Sequence, residues 1–413
     1  MTSGKLRLGA KWSTLAYHRS WLFDQASALL DFFEAESLDP AGGFFSLDNA
    51  GRPISEAKVR EIHVTSRMVH CFAIACLMGR PGADRFIDHG LAFLWNGHRD
   101  TEHGGYVWGI GDGGDSRKQA YGHAFVLLAA SSARLVGHPD ADRLLADVTE
   151  VLKAHFWETK HGASAEEFNL DWSPVSNYRG QNSNMHLTEA AMAAYESTGD
   201  RMYLDWAESI ATLIISKNAA AAGWQIPEHY DSEWRVDRDY AGGDVFRPFG
   251  ITPGHALEWT RLILQLWELG GRRLGWLTEA AKALFRRACA TGWDTAEGGF
   301  RYTLDWDGNP HLRNRLWWPS AEGIAAAAFL NQIDGALEYE EWYRRIWGFV
   351  AGKLIDREHG GWRSEPIDPM DEVVPLFSGK PDLYHALQAC LIPLLPTTGS
   401  VTRGISTGGL GAI

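Results

Sequence analysis

Cysteine is scarce in this chain of 413 residues: Cys71, Cys76, Cys289 and Cys390 are the whole set, and no C-x-x-C pair occurs. A disulfide framework or a cysteine zinc site is therefore not expected, and buried free thiols in a reducing compartment are. Dense Lys/Arg runs are missing as well, and the formal net charge is −13, which argues against nucleic acid or an anionic membrane as partner. No apolar run approaches the roughly 20 residues of a membrane helix. The opening MTSGKLRLGAKWSTLAYH lacks the apolar core of a signal peptide, so a cytoplasmic protein is expected. G-x-S-x-G, a P-loop and a helix-opening G-x-G-x-x-G are absent, leaving hydrolase, kinase and dinucleotide chemistry without support. Without H-E-x-x-H or a dense aspartate set, no metal centre is expected either. What the chain does have is tryptophan, 19 residues of it. Such rings suit the C–H face of a sugar and equally well a packed core.

A second abundance is repetition. A small-residue turn followed by aromatic or extended residues occurs at Gly42-Gly43, Gly104-Gly105, Gly162-Ala163, Gly223-Trp224, Gly298-Gly299 and Gly360-Gly361. The step from Gly43 to Gly105 is 62 residues, and so is that from Gly299 to Gly361. Each turn is flanked by helix-length apolar segments. The second of each pair (63–79, 121–137, 184–199, 254–271, 319–335 and 382–396) is rich in small residues and poor in charge, as an enclosed helix should be. Leu187, Ala190, Ala191 and Ala194 form one such buried stripe. The first of each pair carries more charge and reads as an outer ring. Six helical hairpins predict an all-α fold, an (α/α)6 barrel with short β segments in its loops. An open solenoid is the competing arrangement, and the apolar inner helices favour closure. No Pro/Ser-rich linker divides residues 1–396, which read as a single domain, and 397–413 read as a flexible tail.

The inner segments start with residues foreign to an apolar core: His63 and Arg67, Tyr121 and His123, Asn182, Asn184, His186 and Glu189, His255 and Glu258, Trp318 and Glu322, and Asp382 and His385. In a toroid of hairpins all inner helices start at one end, so these groups converge on one mouth. One histidine near a helix start is usually a cap or a satisfied core group; six helices bringing polar groups to one level point to a pocket. His255 and Glu258, like His186 and Glu189, are spaced i, i+3 and can share the lumen. Two imidazoles among carboxylates suit proton shuttling near neutral pH, with activity falling on acidification. Glu258 and Glu322 could instead flank a glycosidic bond, which leaves the histidines unexplained. A sugar-binding protein without turnover is the remaining class.

The run Arg179-Gly180-Gln181-Asn182-Ser183-Asn184-Met185-His186-Leu187-Thr188-Glu189-Ala190 resembles the R-G-x-N-x-N-M-H-x-x-E-A signature of the N-acylglucosamine 2-epimerase superfamily. Thr252-Pro253-Gly254-His255-Ala256-Leu257-Glu258-Trp259, Trp318-Pro319-Ser320-Ala321-Glu322 and Lys380-Pro381-Asp382-Leu383-Tyr384-His385 continue the likeness, as do Arg67-Met68-Val69-His70 and Met78-Gly79-Arg80-Pro81-Gly82. Within the superfamily the chain looks most like the mannose and sulfoquinovose isomerase branch. The resemblance implies a metal-independent sugar isomerase or epimerase without a cofactor. It implies His255 and His385 as the acid/base pair and His186 in ring opening and positioning. Arg67, Asn182, Glu258, Trp318 and Glu322, with Tyr121, would hold sugar hydroxyls and orient the histidines. Val245 stands where sulfosugar relatives carry an arginine, which weakens a sulfonate reading, and His63 stands where relatives can carry tryptophan.

The reaction so implied removes the C2 proton of a ring-opened aldose and returns a proton to C1 through an enediolate, converting D-mannose to D-fructose or D-lyxose to D-xylulose. A 2-epimerase would use the same intermediate and reprotonate C2 from the other face, so the residues leave both outcomes open. The expected partner is a monosaccharide, and the protein a monomer or homodimer.

Overall fold

The computed structural model describes residues 9–242, 244–367, 373–396 and 399–410. Twelve helices follow in six pairs: α1 (Ala16–Glu36) and α2 (Ile62–Leu77), α3 (Asp84–Phe93) and α4 (Ala120–Leu135), α5 (Ala141–Val151) and α6 (Gln181–Thr198), α7 (Arg201–Ala211) and α8 (Pro253–Leu269), α9 (Trp276–Gly292) and α10 (Trp317–Ile333), α11 (Leu337–Phe349) and α12 (Tyr384–Leu391). The even-numbered helices are buried almost all round; α4 has fourteen buried residues from Ala120 to Ala133. The odd-numbered helices bury one face, as α3 does with Phe86, Ile87, Gly90 and Leu91. Even helices pack in sequence, α2 on α4, α4 on α6, α6 on α8, α8 on α10 and α10 on α12, and α12 returns to α2 and α1. The inner ring is closed, which bears out the (α/α)6 barrel.

Helix ends follow local chemistry. Pro253 opens α8, where its missing N–H costs nothing. The Asp200 carboxylate caps α7 by accepting from the Met202 N–H. Two of the repeated turn glycines show why side chains are shut out. Gly105 has φ +76°, and a Cβ there would lie 2.6 Å from the Trp172 ring; Gly299 has φ +85°, with Phe349 at 2.5 Å.

A feature of the repeats not evident in the sequence is an ionic latch. The acid opening each turn reaches the cation just before the next inner helix: Asp39 to Arg60 at 2.8 Å, Asp100 to Lys118 at 2.8 Å, Glu158 to Arg179 at 2.6 Å and Asp356 to Lys380 at 2.9 Å. Lys118 and Lys380 are buried, so each pair is a committed contact whose breaking would strand a charge. In the fifth hairpin Arg315 donates to the Gly298 carbonyl at 3.3 Å. In the fourth, Ile251 takes the position and bridges to Leu304. The latches fix where each inner helix starts.

Two-residue strands lace neighbouring hairpins at the same end. All pair antiparallel: Arg60–Glu61 with Gly109–Ile110, Lys118–Gln119 with Glu167–Phe168, and Arg179–Gly180 with His229–Tyr230. The mouth is therefore a stiff rim rather than a set of free loops. At the opposite end lies a short helix, α13 (Val401–Ser406), within the stretch whose sequence suggests a mobile tail. It packs on α2, α4 and α6 with Val401, Thr402, Gly404 and Ile405 buried. Residues 397, 398 and 411–413 of that stretch lie outside the described residues.

Candidate active site

The first turns of the inner helices surround a cavity of about 560 Å³, lined among others by Arg67, Tyr121, Asn182, His186, His255, Glu258, Trp318 and His385. Eight of the nine residues that the resemblance assigns to the site thus meet at one place, with His63 and Asp382 beside them; His123, held by the Gln119 carbonyl and the Tyr106 N–H, and Asn184, bonded to the Ser164 backbone, do not line it. The ninth, Glu322, is not a lining residue; it lies behind His385 and binds it.

His255 and His385 flank the Trp318 indole, with ring centroids 5.1 and 5.8 Å from it. Each has a buried carboxylate on Nδ1: Glu228 at 2.9 Å for His255 and Glu322 at 2.8 Å for His385. Burial alone would raise both carboxyls. The attraction of His255 outweighs it at Glu228, and Arg261 together with His385 outweighs it at Glu322, so both are held below the usual carboxylate range. An ionised carboxylate only accepts, so each Nδ1 carries the proton and each Nε2 offers a lone pair. The first pair is braced further. The Trp259 indole N–H donates to Gln181 Oε1 at 2.7 Å, which turns the Gln181 amide nitrogen toward Glu228 at 2.7 Å. The His385 ring also has Asp382 3.6 Å from Nε2.

Beneath them Arg261, fully buried, meets Glu322 at 2.8 Å, Glu189 at 3.0 Å and Glu258 at 3.7 Å. One guanidinium cannot balance three carboxylates in a dry interior. Burial and repulsion from Glu322 push the Glu258 carboxyl well above its ordinary value, so it holds its proton, while Arg261 overcomes burial to keep Glu189 ionised. Glu258 Oε1 has no hydrogen-bond partner among the described residues, and Tyr384 donates its hydroxyl to Glu189. His186 stands between these groups and the aromatic wall, 3.7 Å from Glu258 and 5.0 Å from the Tyr121 ring. Burial pushes its imidazole down to about 3, so it is neutral.

Arg67 supplies the cavity's positive charge. Its Nη2 donates to the Tyr121 hydroxyl at 2.8 Å and Nη1 to Asp382 at 3.4 Å, while its guanidinium lies over the rings of Phe125 at 4.4 Å and Tyr384 at 5.0 Å. His63 completes that wall, stacked on Trp108 at 5.0 Å. His186, Glu189 and Glu258, and likewise Glu258, Glu322 and His385, are close enough to share an ion. Arg261 lies among the same carboxylates, paired with Glu322 and Glu189.

Sequence reasoning missed Glu228, Gln181, Arg261 and Phe246. Gln181 stands inside the R-G-x-N run, and Arg261 is three residues past Glu258 on the same face; both spacings held a signal. Glu228 precedes α8 in a loop, and only the fold brings it under His255.

The family model described as N-acylglucosamine 2-epimerase matches residues 42–389. A D-mannose isomerase from Pseudomonas cannabina pv. alisalensis is 44% identical over 407 residues, 96% of this chain and 97% of its own. One from Thermobifida fusca is 42% identical, over 96% and 99% of the two chains. A crystal structure of a D-mannose isomerase superposes with a TM-score of 0.83 at 33% identity, covering 91% of this chain and 97% of that one. The repeats, the converging histidines and these likenesses agree: the chain belongs to the N-acylglucosamine 2-epimerase family.

Proposed function

We propose that this protein is an aldose–ketose isomerase that interconverts D-mannose and D-fructose, with D-lyxose and D-xylulose as a smaller pair of the same stereochemistry. The observation that carries the reading is the pair of imidazoles beside Trp318, each with a carboxylate on Nδ1 and a lone pair on Nε2. Its likeness to D-mannose isomerases over nearly the whole chain supports the choice of sugar.

The open-chain aldehyde binds with C1 and C2 between the two histidines. One Nε2 removes the C2 proton and the electron pair moves onto O1, giving an enediolate. The O2 proton passes to O1, and the imidazolium, its proton having exchanged with solvent, protonates C1 as C2 becomes the carbonyl. Arg67 gains most at the stage when O1 carries charge, because its guanidinium is already oriented and partly desolvated. Glu258, holding its proton, donates to a sugar oxygen, and neutral His186 either accepts or donates there; both suit opening of the pyranose ring. Asn182 and Tyr121 hold hydroxyls along the far wall.

The test is incubation with mannose in D₂O, followed by NMR. Fructose bearing deuterium at C1, with EDTA without effect, is the expected result. Glucose deuterated at C2 as the main product would replace the isomerase by a 2-epimerase. Unlabelled fructose made in an EDTA-sensitive reaction would overturn proton transfer in favour of a metal-assisted hydride shift.

The Glu228–His255 pair gives a second expectation. Glu228→Gln keeps shape and burial yet can present an N–H to Nδ1, which favours the tautomer with the proton on the wrong nitrogen. A drop in kcat on the order of 10²-fold or more is expected, with a smaller change in KM. Unchanged kcat in a folded variant would show that Glu228 does not orient His255.

A further inference from the structure

The sugar cavity adjoins a second one of about 680 Å³ nearer the rim, and Tyr121, Asn182 and Phe246 line both. Building on the isomerase reading, we propose that Phe246 is a specificity gate: its ring closes the inner cavity against the outer one, limits the substrate to free monosaccharides, and on removal admits a sugar glycosylated at its non-reacting end.

Phe246 belongs to the segment before α8, and three consecutive residues of it are anchored to different neighbours. The Val245 carbonyl accepts from the Tyr302 hydroxyl. The Phe246 carbonyl accepts from Asn182 Nδ2 at 3.2 Å, and its N–H donates to Asp244 Oδ1 at 2.8 Å. Arg247 binds Glu167 at 3.1 Å and Glu166 at 3.4 Å. So held, the Phe246 ring meets His63 at 5.5 Å, Tyr121 at 5.6 Å and Trp108 at 6.2 Å edge-on or tilted, a partition one side chain thick. His255 and His385 make their contacts with the Trp318 ring, whereas the Phe246 ring contacts His63, Tyr121 and Trp108. With C1 and C2 between His255 and His385, the sugar's other end faces Phe246.

The outer cavity has the chemistry of a sugar surface. Trp108 and Tyr178 contribute aromatic surface, one stacked on His63 and the other beneath the Arg247 guanidinium, and Gln119, Arg117, Glu166 and Arg247 offer donors and acceptors. Its arginines are already paired, Arg117 with Glu167 at 3.2 Å and Arg247 as above. Glu61 and Asp244 add further acid, so a phosphate or sulfonate is disfavoured and a neutral glycosyl group is not.

The experiment compares wild type, Phe246→Ala and the milder Phe246→Val on mannose and on β-1,4- and β-1,6-linked mannobiose. Turnover is read by NMR and binding by quenching of tryptophan fluorescence, with thermal melting as the fold control. The expected result is a rise of at least about tenfold in the mannobiose-to-mannose ratio of kcat/KM for one linkage or both, with a matching gain in relative affinity. Ratios within about twofold of wild type in folded variants, for both linkages, would overturn the gate, as would wild type binding mannobiose as tightly as mannose. Were no protein to turn over mannose, the isomerase reading would fail, while the binding ratio would still decide the gate.

Discussion

His255→Gln and His385→Gln are each expected to lower kcat for mannose isomerisation by on the order of 10²–10⁴-fold, with KM moving far less. Glutamine can still donate to Glu228 or Glu322, so the carboxylate keeps a partner and the melting temperature should hold near wild type. What glutamine lacks is a lone pair basic enough to take a proton from carbon. The two losses need not be equal, and their difference assigns the roles. If one imidazole removes the C2 proton and the other only polarises the carbonyl, the variant of the second still exchanges the C2 proton of mannose with solvent while forming little fructose. The variant of the first does neither. Measuring C2 exchange beside fructose formation in D₂O therefore tells base from polariser. Both variants retaining more than about a tenth of wild-type kcat would remove the histidines from the chemistry. The double variant should lose little more than the worse single one, since residues acting as a unit do not add.

The sequence revealed this site through helix starts. His255, His385, His186 and Arg67 sit near the N-termini of inner helices, and the repeated hairpin places all those termini at one mouth. Periodicity thus carried both the ring and most of the cavity wall. The contacts that give the groups their protonation states were not legible. Glu228 serves His255 from a different part of the hairpin, and Lys118 and Arg60 latch to acids in turns that look like ordinary surface loops. Such contacts depend on the closure of the ring, which no local spacing encodes. Glu322 shows the converse: motif reasoning finds the residue, but only the packing of α10 against α12 sets it behind the imidazole instead of in the cavity. The C-terminal stretch shows composition failing outright, since its Gly, Ser and Thr residues suggest mobility while Val401 and Ile405 are buried under the barrel.

Acid should destabilise this protein from about pH 6.5 downward and more steeply below about pH 4.5, because its buried titrating groups partly oppose each other above that pH and act together below it. Burial pushes His70, His98 and His123 down to about 4 and His186 to about 3. His123 is also locked neutral by geometry, its Nε2 accepting the Tyr106 N–H at 3.0 Å. The unfolded chain binds protons at these sites from about pH 6.5 and the fold does not, so the four cost roughly 3 kcal/mol each by pH 4; His18, pushed by burial to about 4, and His63, pushed well below its ordinary value, add to that loss. Burial works the other way on carboxyls. Glu196 is raised to about 7, Glu166 is raised, and Glu258 is raised well above its ordinary value. Their stabilisation is full below the unfolded value near 4.5 and is lost as pH rises, so on acidification from pH 7 they return part of what the more numerous histidines lose. Below 4.5 that gain is complete. Glu189, Glu228 and Glu322, held low against burial by Arg261 or His255, then lose stability with falling pH, as do Asp100 and Asp356, held at about 2 by Lys118 and Lys380. Histidines and carboxylates now pull in one direction, and several protons per molecule overwhelm a total stability on the order of 5–15 kcal/mol. Calorimetric melting temperatures should decline from about pH 6.5 and fall more steeply below about pH 4.5. Glu196→Gln removes part of the opposing gain, so its melting temperature should start higher at pH 7 and slope downward more steeply than wild type. A wild-type melting temperature that is unchanged between about pH 6.5 and 4.5, or one that survives to pH 3, would show that the buried imidazoles do not govern acid stability in this way.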